Sequence, residues 1–162
     1  MGSIPAEVAI AAGPRVEEVT GLDPWEAVQH LAGLPHLLFL DSAHTGGPRG
    51  RYSFVTADPF AWITAYGDMV FDTGWPRRAS PFHVLANRLA MFRGEAIPEL
   101  PPFQGGAAGL FGYGLCRQIE SLRRPECDDF RVPDLAVGLY DWVLGFDHAQ
   151  CRAWLILSLI HI

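Results

Sequence analysis

Apolar residues fall in short blocks separated by clusters of Gly, Pro, Asp and Ser, a rhythm of strands and turns more than of long helices. Residues 36–43 (HLLFLDSA) form an apolar run that reads as a buried strand, and 51–57 (RYSFVTA) reads as a second strand stopped by Asp58-Pro59. Segments 61–65 and 69–72 alternate around Tyr66-Gly67-Asp68, as a hairpin does. Residues 105–113 (GGAAGLFGY) read as a glycine-rich strand, and 135–147 with 151–157 as a last hairpin turning at His148-Ala149-Gln150.

Helical spacing occurs twice with full start signals. Asp23-Pro24-Trp25-Glu26 offers a capping aspartate, a proline suited to the first helical position and a glutamate at the capping-box position. Trp25, Val28 and Ala32 would share the inward face, and Gly33 and Pro35 end the helix. Ser80-Pro81 opens a second helix by the same logic, with Phe82, Leu85, Leu89 and Phe92 expected to face the core. A third, short helix is expected over 115–122, after a proline-rich connector at 97–103. The fold class expected is α+β: mostly antiparallel sheet with two or three helices, without the strict β-α-β alternation of a doubly wound fold.

Composition narrows the function classes. The chain has 162 residues, one domain's worth, with 49% hydrophobic and 19% charged residues, which suits a packed core and not a disordered segment. A net charge of −6, with adjacent arginines only at 77–78 and 123–124, argues against nucleic acid as a partner. No apolar run reaches the length of a membrane span, and the first residues lack the basic start of a signal peptide. The odd set Cys116, Cys127 and Cys151, with no C-x-x-C spacing, reads as buried free thiols in a reducing cytoplasm.

Candidate chemistry is sparse. The glycines at 105, 106, 109, 112 and 114 do not keep the spacing of a dinucleotide-binding loop, and read instead as small residues that let another backbone or a ligand approach closely. The loop 46–50 carries Arg49 and precedes Arg51, a set that would cradle an anion or simply connect two strands. The six histidines show no metal-binding spacing, no nucleophile elbow is present, and no catalytic set stands out. One convergence is notable. Asp41 and Ser42 end one strand while Arg51, Tyr52 and Ser53 open the next. Paired, those strands would gather a carboxylate, hydroxyls and a guanidinium, which suits a zwitterionic ligand; an ordinary Asp–Arg contact at a strand end is the other reading.

The same blocks carry a family resemblance. Residues 39–43 (FLDSA), 50–54 (GRYSF) with 57–59, 102–113 (PFQGGAAGLFGY) followed by Arg117 and Glu120, and 132–142 (VPDLAVGLYDW) running to Asp147-His148 resemble the N-terminal region of aminodeoxychorismate synthase component I and its relative anthranilate synthase component I. The likeness covers roughly residues 20–156, and its 51–54 and 140–142 blocks lean toward the aminodeoxychorismate branch. It implies the N-terminal part of a two-sheet synthase fold whose parent enzyme, with Mg²⁺, aminates chorismate to 4-amino-4-deoxychorismate for folate, fed with ammonia by a glutamine amidotransferase. The family's tryptophan pocket maps onto Leu40, Asp41 and Ser42 on one wall and Arg51, Tyr52 and Ser53 on the next. Gly114 departs from the pattern, since the family usually has Asp after the tyrosine.

The chorismate and Mg²⁺ residues of the family lie in a C-terminal catalytic domain, so this stretch is expected to be inactive alone and to hold no metal. The organisation expected is a leader over 1–15, the synthase-like domain over 16–156, and a non-native tail over 157–162, whose sequence LSLIHI matches a translated sequencing adapter. The alternatives are the same region of an anthranilate synthase component I, or a stand-alone amino-acid-binding regulatory module.

Overall fold

The computed structural model describes residues 14–42, 50–92, 94, 96–123 and 130–158. Expectations for the leader up to residue 13, the 46–49 loop with Arg49, Cys127 and the tail from 159 lie outside them. The described chain forms two five-stranded sheets, antiparallel throughout, with two α-helices and one 3₁₀ turn. This is the expected α+β class. No helix among the described residues is long and apolar enough to cross a membrane.

The first sheet has the order β1 (Arg15–Val19), β10 (Arg152–Leu157), β9 (Trp142–Asp147), β3 (Tyr52–Thr56), β2 (Leu38–Leu40). The second runs β6 (Trp75–Arg78), β5 (Met69–Asp72), β4 (Ala61–Tyr66), β8 (Leu135–Tyr140), β7 (Gly106–Phe111). Each sheet owns a core. In the first, Val55, Leu144, Phe146 and Ala153 close over Ala27 of helix α1 (Pro24–Leu31). In the second, Ile63, Val70, Leu135, Val137 and Leu139 pack with Val84 and Leu85 of helix α2 (Pro81–Ala90).

The expected run 135–147 is not one strand. Tyr140 ends β8 in the second sheet, Asp141 turns the chain, and Trp142 begins β9 in the first. Two sheets each need one strand buried on both faces, so the apolar runs on either side of Asp141 serve one sheet each. The 151–157 strand does pair back on β9, and Leu157 lies within β10, opposite both Trp142 and Arg15.

Helix α1 starts as the sequence predicts. The Asp23 carboxylate accepts from the backbone N–H groups of Trp25 at 2.8 Å and Glu26 at 2.9 Å, satisfying two donors that the first turn leaves unpaired. Asp23→Ala is expected to lower stability by about 1 kcal/mol, read as a shift in urea midpoint at unchanged slope. The buried face agrees in part with the expected one: Val28 packs on the core, but Ala27 is the enclosed residue and Trp25 stays 61% exposed beside Phe39. In α2 the enclosed residues are Pro81, Val84 and Leu85. Leu89 is exposed, Phe92 packs edge-on against Phe60, and Ser80 makes no side-chain cap.

Strands β1 and β6 were not expected. Both are edge strands, mostly exposed and charged, with RVEEV and WPRR in place of an apolar alternation. Pro76 is tolerated because an edge strand need not donate on both sides. The helix expected at 115–122 is instead a 3₁₀ turn over Tyr113–Gln118. Burial of the free thiols is corrected as well: Cys116 is half-buried, and Cys151, with a left-handed backbone in the β9–β10 turn, is exposed.

The glycine-rich strand does bring another backbone close. A Cβ on Gly109 would collide with the Ala136 carbonyl oxygen and lie 2.9 Å from Val137 Cα, both in β8. Gly114, the departure noted above, also has a local reason. The Asp134 carboxylate occupies the place a Cβ would take there and accepts from Gly67 N–H at 2.7 Å. An aspartate at 114 would set a second carboxylate against the first.

Candidate functional site

The antiparallel register of β2 and β3 sets Leu40 opposite Phe54. Carried one step further, it brings Asp41 to Ser53, and the contact is made: the Ser53 hydroxyl donates to Asp41 Oδ1 at 2.7 Å. At this end of the first sheet lies an open cleft of about 380 Å³ lined by Phe39, Leu40, Asp41, Ser42, Tyr52 and Phe54. Four of the six sequence-predicted residues, Leu40, Asp41, Ser42 and Tyr52, therefore share it.

The other two stand behind the wall. Ser53 is fully buried, and its oxygen also lies 2.7 Å from His148 Nε2. Arg51 does not meet Asp41. Its guanidinium grips Asp147, with Nε 3.1 and 3.0 Å from the two carboxylate oxygens and Nη2 2.6 Å from Oδ2. It also lies over the Tyr52 ring, 4.9 Å from the centroid, so it steadies a residue of the cleft without facing into it.

Asp147 anchors this end of the sheet. It is 3% exposed, and besides Arg51 it accepts from the N–H groups of Ala149 at 3.0 Å and Gln150 at 3.2 Å. The Arg51 hydrogen bonds hold its carboxyl below the usual range; burial opposes this, and the two turn N–H groups reinforce it. The same pairing raises Arg51 further above its ordinary value. His148 N–H in turn donates to the Arg51 carbonyl at 2.8 Å, which continues the β3–β9 ladder past the strand end.

Sequence reasoning assigned no role to Phe39, Phe54, Asp147 or His148. The signal available for the last two was their place at the end of a long apolar run, where a buried carboxylate needs a partner. The cleft has an aromatic floor, with Tyr52 and Phe54 rings 6.1 Å apart and Phe54 edge-on to Phe103 at 5.7 Å, and one carboxylate at its rim. That combination suits a ligand with a flat apolar body and a cationic group.

A second cavity, about 510 Å³, lies on the other sheet between Tyr66, Asp68, Arg117, Glu120 and Asp134. Its charges largely answer one another: Arg78 bridges Asp68 at 2.8 Å, and Arg117 approaches Asp134 at 3.9 Å. Among the described residues no group of three or more His, Cys, Asp or Glu is placed to hold a metal ion.

No family model matches the chain. Curated relatives do. It is 38% identical over 127 residues to aminodeoxychorismate synthase component 1 of Escherichia coli, covering 74% of this chain and 28% of that protein. The protein of that name from Bacillus subtilis is 35% identical over 130 residues, covering 75% and 26%. Anthranilate synthase component 1 of Acetivibrio thermocellus is 30% identical over 125 residues, covering 74% and 25%. Among solved structures, anthranilate synthase component I from Streptococcus pneumoniae superposes with a TM-score of 0.56 at 26% identity, covering 82% of this chain and 28% of that one. The chain thus spans little more than a quarter of the length of the relatives it matches. With two antiparallel sheets like those of that structure and ordered identity to both kinds of synthase, it belongs to the aminodeoxychorismate synthase and anthranilate synthase component I family.

Proposed function

We propose that this chain is the N-terminal portion of an aminodeoxychorismate synthase component I, and that the cleft at the end of β2 and β3 is a pocket for a free aromatic amino acid of the tryptophan type. The observation that carries the ligand reading is the cleft itself, where Asp41 stands at the rim and Tyr52 and Phe54 supply the aromatic floor. The carboxylate would take the ammonium and the rings the indole. Identity to relatives named aminodeoxychorismate synthase supports the parent assignment.

In this reading the parent protein aminates chorismate to 4-amino-4-deoxychorismate for 4-aminobenzoate and folate synthesis. A glutamine amidotransferase supplies its ammonia. Chorismate and Mg²⁺ are handled by the part of the relatives' length that this chain does not span. The contribution of residues 14–158 is then the amino-acid pocket and the sheet scaffold behind it.

Two measurements test this. Titration calorimetry of L-tryptophan into the chain should give saturable binding with a submillimolar dissociation constant, lost in Asp41→Ala; no heat at millimolar ligand removes the pocket. For the parent, the full-length protein supplied with chorismate, Mg²⁺ and ammonia should form 4-amino-4-deoxychorismate without releasing pyruvate. Release of pyruvate would make it an anthranilate synthase component I, a reading that the structural neighbour favours.

A further inference from the structure

We propose that His148 is a positioning residue for the amino-acid cleft, acting through the buried Ser53 hydroxyl to hold Asp41 ready for a ligand's ammonium group. The proposal rests on the pocket reading above.

The geometry supports it as follows. Ser53 is fully buried, and its single hydroxyl has two partners, Asp41 Oδ1 and His148 Nε2, each at 2.7 Å. An ionised carboxylate only accepts, so the hydroxyl proton points to Asp41. The Ser53 oxygen is then an acceptor, and Nε2 of His148 must carry a proton to fill it. The order is therefore His148 Nε2–H to Ser53 Oγ–H to Asp41 Oδ1, each link polarising the next.

This line spans three strand ends that are far apart in sequence. Asp41 follows β2, Ser53 lies in β3, and His148 follows β9. His148 is fixed from both sides, because its own N–H is bonded to the Arg51 carbonyl and the preceding residue is clamped by Arg51. Without a donor at Nε2, the enclosed Ser53 oxygen is left without its donor, and its bond to Asp41 loses the polarisation that holds the carboxylate in place. Oδ1 is used internally, so the second oxygen of the cleft-lining Asp41 is the one available to a cationic group. The inference is one of specificity: the His148–Ser53 line serves recognition of the amino group and not of the ring.

The test uses the whole chain and two probes, L-tryptophan and indole-3-propionate, which has the same ring and carboxylate but no amino group. His148→Phe is expected to weaken L-tryptophan binding about tenfold and to leave indole-3-propionate unchanged. His148→Gln, whose amide can donate to Ser53, is expected to restore most of the loss. Nitrogen-15 spectra of the imidazoles at mildly alkaline pH, assigned by the variants, should show His148 protonated at Nε2. A neutral His148 protonated at Nδ1 overturns the proposal, and does so even if His148→Phe fails to fold. Equal weakening of both probes, or none, also overturns it while leaving the pocket in place. Absence of any wild-type binding to L-tryptophan removes the pocket reading itself, and the proposal with it.

Discussion

Gly109→Ala is expected to destabilise the protein by about 4 kcal/mol or more, enough to unfold a domain of ordinary stability. Two costs add. The backbone at Gly109 has φ +149°, which an L side chain rarely adopts. The new methyl would also be driven into the β8 backbone, against the Ala136 carbonyl oxygen and within 2.9 Å of Val137 Cα. Neither neighbour is a flexible side-chain tip. Both belong to β8, which is paired on both sides, by β4 and β7, and Val137, fully buried, is the register partner of Gly109. Gly106→Ala is the control, since φ there is +107° but nothing lies within 4 Å of the added Cβ. It should show the backbone strain without the collision. Denaturant midpoints of the two variants separate the terms, and equal losses would mean that β7 and β8 are farther apart than described.

Asp147→Asn is expected to cost about 1–2 kcal/mol at neutral pH, the range for hydrogen bonds to a charged group scaled down because Arg51 is 40% exposed. The amide keeps the volume but loses the charge that receives Arg51 and the turn N–H groups of Ala149 and Gln150. The folded carboxyl titrates lower than in the unfolded chain, principally through Arg51. Its contribution is therefore fully present above the unfolded carboxylate pKa, about 4, and is lost as pH falls through the lowered folded value. The stability gap between wild type and Asp147→Asn should stay constant from neutral pH down to about pH 5 and close in stronger acid. A gap of the same size at all pH values would show that the carboxylate charge is not what stabilises the turn.

Local chemistry made much of this fold legible. The Asp23-Pro24 start of α1, the β4–β5 hairpin and the β9–β10 turn are each specified by a few adjacent residues, and each was read in place. What escaped is decided at a distance. RVEEV becomes a strand only because β10 offers it an edge, with Arg152 bonding Glu18 at 2.8 Å across the pair. WPRR becomes one because β5 does. The break at Asp141 is marked in the sequence only by one acidic residue between two apolar runs, a pattern that shows burial on both faces but not that the two runs lie in different sheets. The cleft followed the same division. Asp41, Ser42 and Tyr52 were brought together because strand ends are local features, and Leu40 joined them only through the family resemblance; all four line the cleft. The true partner of Arg51 was not, because Asp147 lies 96 residues further on.

The pairing of β1 has a consequence for synthesis on the ribosome. Among the described residues strand β1 is bonded only to β10, with Arg15 opposite Leu157, so nearly the whole described chain separates it from that partner. At about 5–20 residues per second, translation needs roughly ten seconds to deliver that partner after β1 has emerged. Throughout that interval β1 has no template. Sheet two, whose strands all lie between β4 and β8, can pair before sheet one is closed. The adjacent glutamates of β1, Glu17 and Glu18, put one charge on each face and give a waiting strand little to aggregate with. The earliest of the described strands is thus the last of them to be placed, and its charged sequence suits the wait.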